Sequence, residues 1–236
     1  MKILLTNDDG IQADGLIRLA KAAKRLGQVW VVAPDGERSA ASHSVTLRHS
    51  LEVRKVDFPV SGVEAYACSG MPADCVRIGV LNIVPGKPDL VFSGINYGYN
   101  VATDLQYSAT AGAAFEGAFQ GVSSIAFSEG AADCHEVTDR YLEEIMDKLA
   151  TKPLGPNEIW NVNFPACKAE ECEGILWDRS VSMDVFYADR YHETKVTDTI
   201  STFMVEGIRN YQASQGTDLR AILEHYVSVG IATNIS

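Results

Sequence analysis

MKILLTNDDG, residues 1–10, is the stretch on which the reading of the chain turns. Ile3, Leu4 and Leu5 form a short apolar run of the kind that a strand buried on both faces requires. Asp8 and Asp9 follow at once, with Gly10 behind them as a turn residue. A buried strand that ends in Asp-Asp-Gly sets two negative charges at the carboxyl edge of a sheet. Open α/β sheets bind their ligands at that edge. Like charges this close raise one another's pKa unless a cation sits between them. The pair therefore has two readings: a divalent-metal site, and an ordinary solvated turn, since Asn, Asp and Gly are common turn formers.

Working outward, Asp14 is placed to N-cap a helix from Gly15 to about Leu26, with Leu16, Leu19, Ala20 and Ala23 as its apolar stripe and Gly27 as its stop. VWVVA, residues 29–33, is the next buried strand, so the first third reads strand–helix–strand, the unit of a parallel sheet with right-handed crossovers. Extended segments are expected over 44–56 and 63–68, and a helix from Pro72 to about Leu81. Pro88–Phe92 is a further strand that should end in a loop, Ser93-Gly94-Ile95-Asn96. An irregular stretch over 97–107 precedes a helix rich in small residues over 108–120. A strand at 124–127, an amphipathic helix at 135–150 and a strand at 158–164 complete the alternation. From about 168 to 210 it gives way to short β-like pieces (175–177, 185–187, 199–205), the pattern of a hairpin or arm outside the main sheet. A short helix at 217–226 and a strand at 227–231 close the chain. The expectation is one α/β domain over 1–236, built on a mostly parallel sheet with flanking helices and carrying a C-terminal β-hairpin arm.

Composition narrows the partners. A content of 46% hydrophobic and 22% charged residues is ordinary for a globular protein, and a net charge of −11 argues against duplex nucleic acid or an anionic membrane surface as partner. No apolar run reaches the ~18–20 residues of a membrane span, and the N-terminal run stops at Leu5 with acid behind it, unlike a signal peptide. These features read as a cytoplasmic protein. Five cysteines without a CxxC spacing read as buried or idle thiols.

Three loops should converge because each follows a strand of one parallel sheet: residues 7–10, 39–44 and 93–100. Between them they offer carboxylates, hydroxyls and carboxamides, an all-oxygen set that suits Mg²⁺ or Mn²⁺ and is a poor match for zinc. Small residues beside these donors, among them Gly94, Gly98, Ala40 and Ala41, leave room for backbone N–H groups to approach an anion. Ser108 at a helix N-terminus adds a favourable dipole end for phosphate. His43 is the nearest histidine, and reads equally as a loop, structural or catalytic residue. Tyr107 and Phe115 read as core.

LLTNDDG (4–10), APDGERSAASHS (33–44), SGMPADCV (69–76), DLVFSGIN (89–96), YSATAGAAFEGA (107–118), SIAFS (124–128), NVNFP (161–165), TD (217–218) and YVSV (226–229) follow one another in an order that resembles the SurE family of metal-dependent nucleotide phosphatases. The resemblance runs nearly end to end. It implies a Rossmann-like core and one divalent ion per subunit, Mn²⁺ or Mg²⁺, on Asp8, Asp9, Ser39 and Asn96. It also implies hydrolysis of nucleoside monophosphates, with Asp8 and Asp9 as catalytic groups and Asn7, Gly94, Asn100, Ser108 and Thr110 around the phosphate. Homodimers or homotetramers built through the arm are implied too. The chain departs from the family pattern at Tyr97, Tyr99, Ala109, Ala40 and Ser42, where the family usually carries His, a smaller residue, and glycines. Base preference, phosphate position and activity on polyphosphate stay open at this stage.

Rival readings are an aspartyl-phosphate enzyme with Asp8 or Asp9 as nucleophile, a receiver-type phosphoacceptor domain, and a dinucleotide binder. A receiver needs an acceptor Asp where this chain has Ser93-Gly94-Ile95-Asn96. The dinucleotide fold needs a GxGxxG after its first strand, and none is there.

Overall fold

A computed structural model describes residues 1–235. Its first strand, β1 (Lys2–Thr6), is central because its side chains have apolar partners on both sides. Ile3 and Leu5 point into one cluster with Leu16, Leu19, Phe92, Phe127, Ile145 and Leu149, while Leu4 points into the other with Trp30, Cys75, Val76 and Val91. That alternation is the period-2 rule of a strand, applied to a strand with no wet face.

The main sheet has nine strands in the order β3-β4-β2-β1-β5-β6-β7-β11-β8. The strands are β2 (Gln28–Pro34), β3 (Val53–Val56), β4 (Glu64–Cys68), β5 (Leu90–Tyr97), β6 (Ser123–Glu129), β7 (Glu158–Phe164), β8 (Gly174–Leu176) and β11 (Tyr226–Thr233). The run β4-β2-β1-β5-β6-β7 is parallel throughout, and β3 and β11 pair antiparallel with β4 and β7. Helices α1 (Asp14–Ala23) and α4 (Glu136–Leu149) cover one face, and α2 (Pro72–Ile78) and α3 (Ala109–Phe119) the other. The mostly parallel, helix-flanked sheet is the expected class.

Because β1 lies between β2 and β5, the chain leaves it in one direction for β2 and later returns on its other side. The carboxyl ends of β1, β2 and β5 therefore share one edge around a topological switch point, where such sheets open a crevice. Helix α1 is held very close to β5: a Cβ on Gly15 would stand 2.1 Å from the Ile95 carbonyl oxygen.

Several boundaries differ from the sequence reading. Ala13, not Asp14, is the N-cap of α1; the helix stops at Ala23, and Gly27 is placed for close approach to Met1, whose carbonyl oxygen a Cβ would meet at 2.0 Å. Residues 44–52 carry no strand. The α2 helix ends at Ile78 and widens into a π-helical turn, Gly79–Ile83, where Gly79 makes room for Leu4. Strand β5 does not stop at Phe92. It runs on to Tyr97 with a register shift between Ser93 and Asn96, which the bare Gly94 permits by lying against the Phe127 carbonyl oxygen (2.2 Å from a built Cβ). The segment 175–177 corresponds to β8, which joins the main sheet beside β11 instead of the arm. The arm is a two-stranded hairpin, β9 (Arg190–Val196) with β10 (Ser201–Glu206), and every residue of both strands is exposed. Residues 185–187 form no strand, only a bridge from Tyr187 to Arg209. The closing helix is α5 (Asp218–Leu223), capped by the Thr217 hydroxyl.

The Gly15→Ala variant weighs two effects. Alanine improves helix propensity by about 1 kcal/mol, but the methyl collides with backbone that cannot swing aside, and overpacking of that kind costs ~1–3 kcal/mol. The variant should melt a few degrees lower; an unchanged or higher Tm contradicts the close docking of α1 on β5.

Candidate active site

The turn that follows β1 is closed by Asn7, whose Nδ2 donates to the Gly10 carbonyl oxygen at 2.9 Å; the residue is fully buried, and its Oδ1 has no partner among the described residues. Asp8 is almost enclosed, at 4% exposure. One carboxylate oxygen, Oδ1, accepts from the Thr110 hydroxyl on the first turn of α3, and the Asp8 carbonyl accepts the Arg38 N–H at 2.7 Å. Asp9 reaches across to β5, where its Oδ2 accepts the Tyr97 N–H at 3.3 Å.

Electrostatics sharpen the picture. Burial is the main cause that raises the Asp8 pKa to about 7, with Asp9 and Glu37 adding to it and Thr110 opposing. Asp9 is raised too, first by burial and then by Glu37 and Glu129, against the Tyr97 N–H. Among the described residues no cationic side chain enters either balance. A buried carboxylate beside a half-buried one, without a counter-charge among the described residues, fits a divalent cation.

The further oxygen donors fit as well. Asn96 donates its Nδ2 to the Gly98 carbonyl at 2.8 Å, which leaves Oδ1 as a free acceptor. Ser39 donates its hydroxyl to Glu37 at 2.8 Å and keeps its oxygen lone pairs. No group of three His, Cys, Asp or Glu side chains able to hold a metal occurs among the described residues. Only two carboxylates with hydroxyl and carboxamide oxygens would therefore hold the ion, the set expected for a hard cation.

Asp8, Ser39, Asn96, Asn100 and Ser108 line one cavity of ≈ 850 Å³ at this edge. Ser108 is the N-cap of α3 and accepts the Ala111 N–H at 3.0 Å, so the first turn of that helix faces the cavity through its cap. Asn100 is fixed from behind: its N–H and carbonyl meet the Asn163 and Asn161 side chains, and its Nδ2 donates to Ser128 at 2.7 Å. Asn7, Asp9, Gly94 and Thr110 do not line the cavity. His43 faces elsewhere, bound to Glu116 at 2.9 Å and stacked on Phe119. Two departures from the family pattern keep a glycine-like backbone, for Ala40 and Ser42 have φ of 56° and 51°. Ala109 simply begins the regular helix. A second cavity of ≈ 580 Å³ lies at the opposite, amino edge of the sheet around Met1, Leu90 and Pro153, far from these groups.

Sequence reasoning missed part of the lining. Tyr107, read as core, is 64% exposed and faces the cavity, whereas Phe115 is buried as expected. Asp104, Val185, Tyr187, Asp189 and Tyr191 also line it. Asp104 lies in a 3₁₀ turn, Ala102–Gln106, Val185, Tyr187 and Asp189 on the approach to the arm and Tyr191 in β9 itself, where no periodicity marks a wall.

Comparison with known proteins agrees with the geometry. Residues 3–185 match the family described as survival protein SurE. The chain is 37% identical over 238 residues to 5′-nucleotidase SurE of Mesorhizobium japonicum, which covers 97% of this chain and 92% of that one. It is 37% identical over 233 residues to 5′-nucleotidase SurE of Clostridium botulinum, with coverages of 97% and 91%. The crystal structure of SurE protein from Aquifex aeolicus superposes with a TM-score of 0.85 at 34% identity, covering 100% of this chain and 95% of that one.

In metal-free protein the Asp8 carboxyl should titrate near 7 by ¹³C NMR, well above its ordinary 3.8. A carboxyl whose folded pKa is raised stabilises the fold below its unfolded pKa, and this contribution is lost as pH rises through about 7. Thr110→Val removes an interaction that lowers the pKa, so its midpoint should move higher still. Titration near 4 in either protein contradicts the buried, uncompensated charge.

Proposed function

The chain belongs to the SurE family, and from that premise we propose that it is a divalent-metal-dependent phosphomonoesterase that hydrolyses nucleoside monophosphates to nucleoside and phosphate, a 5′-nucleotidase. The observation that carries this reading is the cavity at the sheet's carboxyl edge, where the buried Asp8, with the half-buried Asp9 next to it in the chain, meets neutral oxygen donors and a helix N-terminus.

Asp8, Asp9, Ser39 and Asn96 would hold one Mn²⁺ or Mg²⁺, which when bound would supply charge neutralisation at the phosphoryl group and a more acidic water. The remaining work falls to the chain. Ser108 and the open N–H groups of the first turn of α3 bind the phosphate oxygens. Asn100, locked by Ser128 and Asn163, forms a rigid wall for the substrate. Thr110 fixes the orientation of Asp8, and Asn7 and Gly94 hold the turn and the strand end that carry the donors. Asp9, the less buried of the pair, takes the proton of the water that attacks phosphorus in line with the departing ribose oxygen. The relatives give no support to an aspartyl-phosphate intermediate or to a receiver domain.

The exposed arm, with Tyr191, Phe203, Met204 and Val205 uncovered, suits pairing with further copies of the chain as a homodimer or homotetramer. No helix among the described residues is long and apolar enough to cross a membrane. A cytoplasmic location completes the proposal.

Asp9→Asn should lower turnover of p-nitrophenyl phosphate and of nucleoside monophosphates by at least ~10²-fold, the scale of removing one electrostatic stabiliser, with far-ultraviolet circular dichroism unchanged. Excess chelator should abolish wild-type turnover and added Mn²⁺ restore it. Turnover that persists in chelator, or in the variant, overturns the assignment. Sedimentation of the same preparation reads the assembly, and a monomer overturns the role given to the arm.

A further inference from the structure

The loop that carries Ser39 has little apolar hold on the body of the protein. From Asp35 to Ser42 every residue is exposed or only partly buried, and Ser39 itself is exposed. Ala40 and Ser42 stand at φ of 56° and 51°, a conformation that an L-residue keeps only where its surroundings enforce it. Upstream of Ser39 the Arg38 N–H donates to the Asp8 carbonyl at 2.7 Å. Downstream the chain lies directly on α3, where a Cβ on Gly112 would stand 2.6 Å from the Ser42 carbonyl oxygen and 2.9 Å from the His43 Cα.

His43 closes the downstream side. Its Nε2 lies 2.9 Å from Glu116 Oε2, its ring stacks on Phe119 with centroids 5.3 Å apart, and the Asn234 amide nitrogen is 3.4 Å from Nδ1. A neutral ring with its proton on Nε2 satisfies both polar contacts, donating to Glu116 and accepting from Asn234. Glu116 is a firm anchor: it is buried on α3, and its Oε1 accepts from Gln120 Nε2 at 2.8 Å, with Arg77 Nε at 3.7 Å. Thr110, which donates to Asp8, lies on the same helix. One helix therefore fixes both Asp8 and the segment just after Ser39.

The geometry points to His43 as a positioning residue for the metal site: its clamp on Glu116 and Phe119 keeps the 39–42 loop in the left-handed turns that present Ser39 to the cavity it shares with Asp8. The inference rests on the metal reading above and gives a role to a residue which that reading leaves without one. His43 is not itself a catalytic group, for it does not line the cavity and both of its ring nitrogens are engaged. Without the clamp the loop is free to leave its strained turns, and the Ser39 oxygen is lost to the site. Asp8, held by Thr110, and Asp9, held by the Tyr97 N–H, stay in place. The loss therefore falls on metal affinity, and only as far as Ser39 contributes to it.

The test reads Mn²⁺ affinity of the full chain, from the electron paramagnetic resonance signal of the free ion. His43→Phe, which keeps a ring for Phe119 and removes the hydrogen bond, should weaken Mn²⁺ binding about tenfold, the scale seen when a partner that orients a metal ligand is removed. His43→Gln, which returns an N–H donor, should recover most of that loss. Glu116→Gln should lose affinity in the same direction from the other side of the clamp, and it replaces His43→Phe if that variant does not fold. In the Ser39→Ala background, itself weakened, His43→Phe should bring no further loss, since two changes to one interaction do not add. A His43→Phe protein that melts lower yet binds Mn²⁺ as the wild type does, or losses that add in full in the double variant, overturns the inference and leaves His43 a residue of the fold alone. Wild-type protein that binds no Mn²⁺ overturns the metal reading, and this inference with it.

Discussion

Asp8 and Asp9, two carboxylates that face no cationic side chain among the described residues, are the constraint around which the molecule is built. Charge in a low-dielectric surrounding is costly unless it is paired, coordinated or neutralised by a proton. Asp8 cannot swing out to water, because β1 is packed on both faces and Thr110 holds one carboxylate oxygen from α3. Burial raises the pKa of both groups, and a divalent cation held there would relieve that cost.

Rigidity behind the pair comes from backbone approaching backbone. Gly15 brings α1 against Ile95, and Gly94 lets β5 lie on Phe127, so Asn96 is carried on a strand end with little freedom. The loop after β2 is kept in left-handed turns at Ala40 and Ser42 although neither is glycine, a conformation that costs an L-residue ~1–2 kcal/mol. Strain of this kind persists only where the surroundings enforce it. Here Ser42 donates its hydroxyl to the Gln106 carbonyl, and its N–H to that of Tyr107, tying the Ser39 loop to the entrance of α3.

Much of this was legible in the sequence for a physical reason. Buried strands such as β1 and β2 are continuous apolar runs, and α1 and α4 carry stripes at helical spacing, so burial writes itself into the order of residues. That Asp8, Ser39, Asn96 and Ser108 share one cavity was legible because parallel strands must release their loops at one edge. What escaped were features that burial does not encode. RYHETKV, the β9 strand, has no face against a core and thus no alternation. The continuation of β5 through Ser93-Gly94-Ile95-Asn96 depends on a contact with Phe127 that no local pattern announces. Tyr107 read as core, whereas here it lies over a cavity lined also by a segment some 80 residues further on, which includes Tyr187.

A crystal grown with manganese and measured at an anomalous wavelength tests the central claim most directly. One strong anomalous peak per chain is expected, bonded to oxygen atoms of Asp8, Asp9, Ser39 and Asn96. A peak elsewhere, or an acidic pair found protonated and closed on itself in a crystal saturated with the ion, would contradict it.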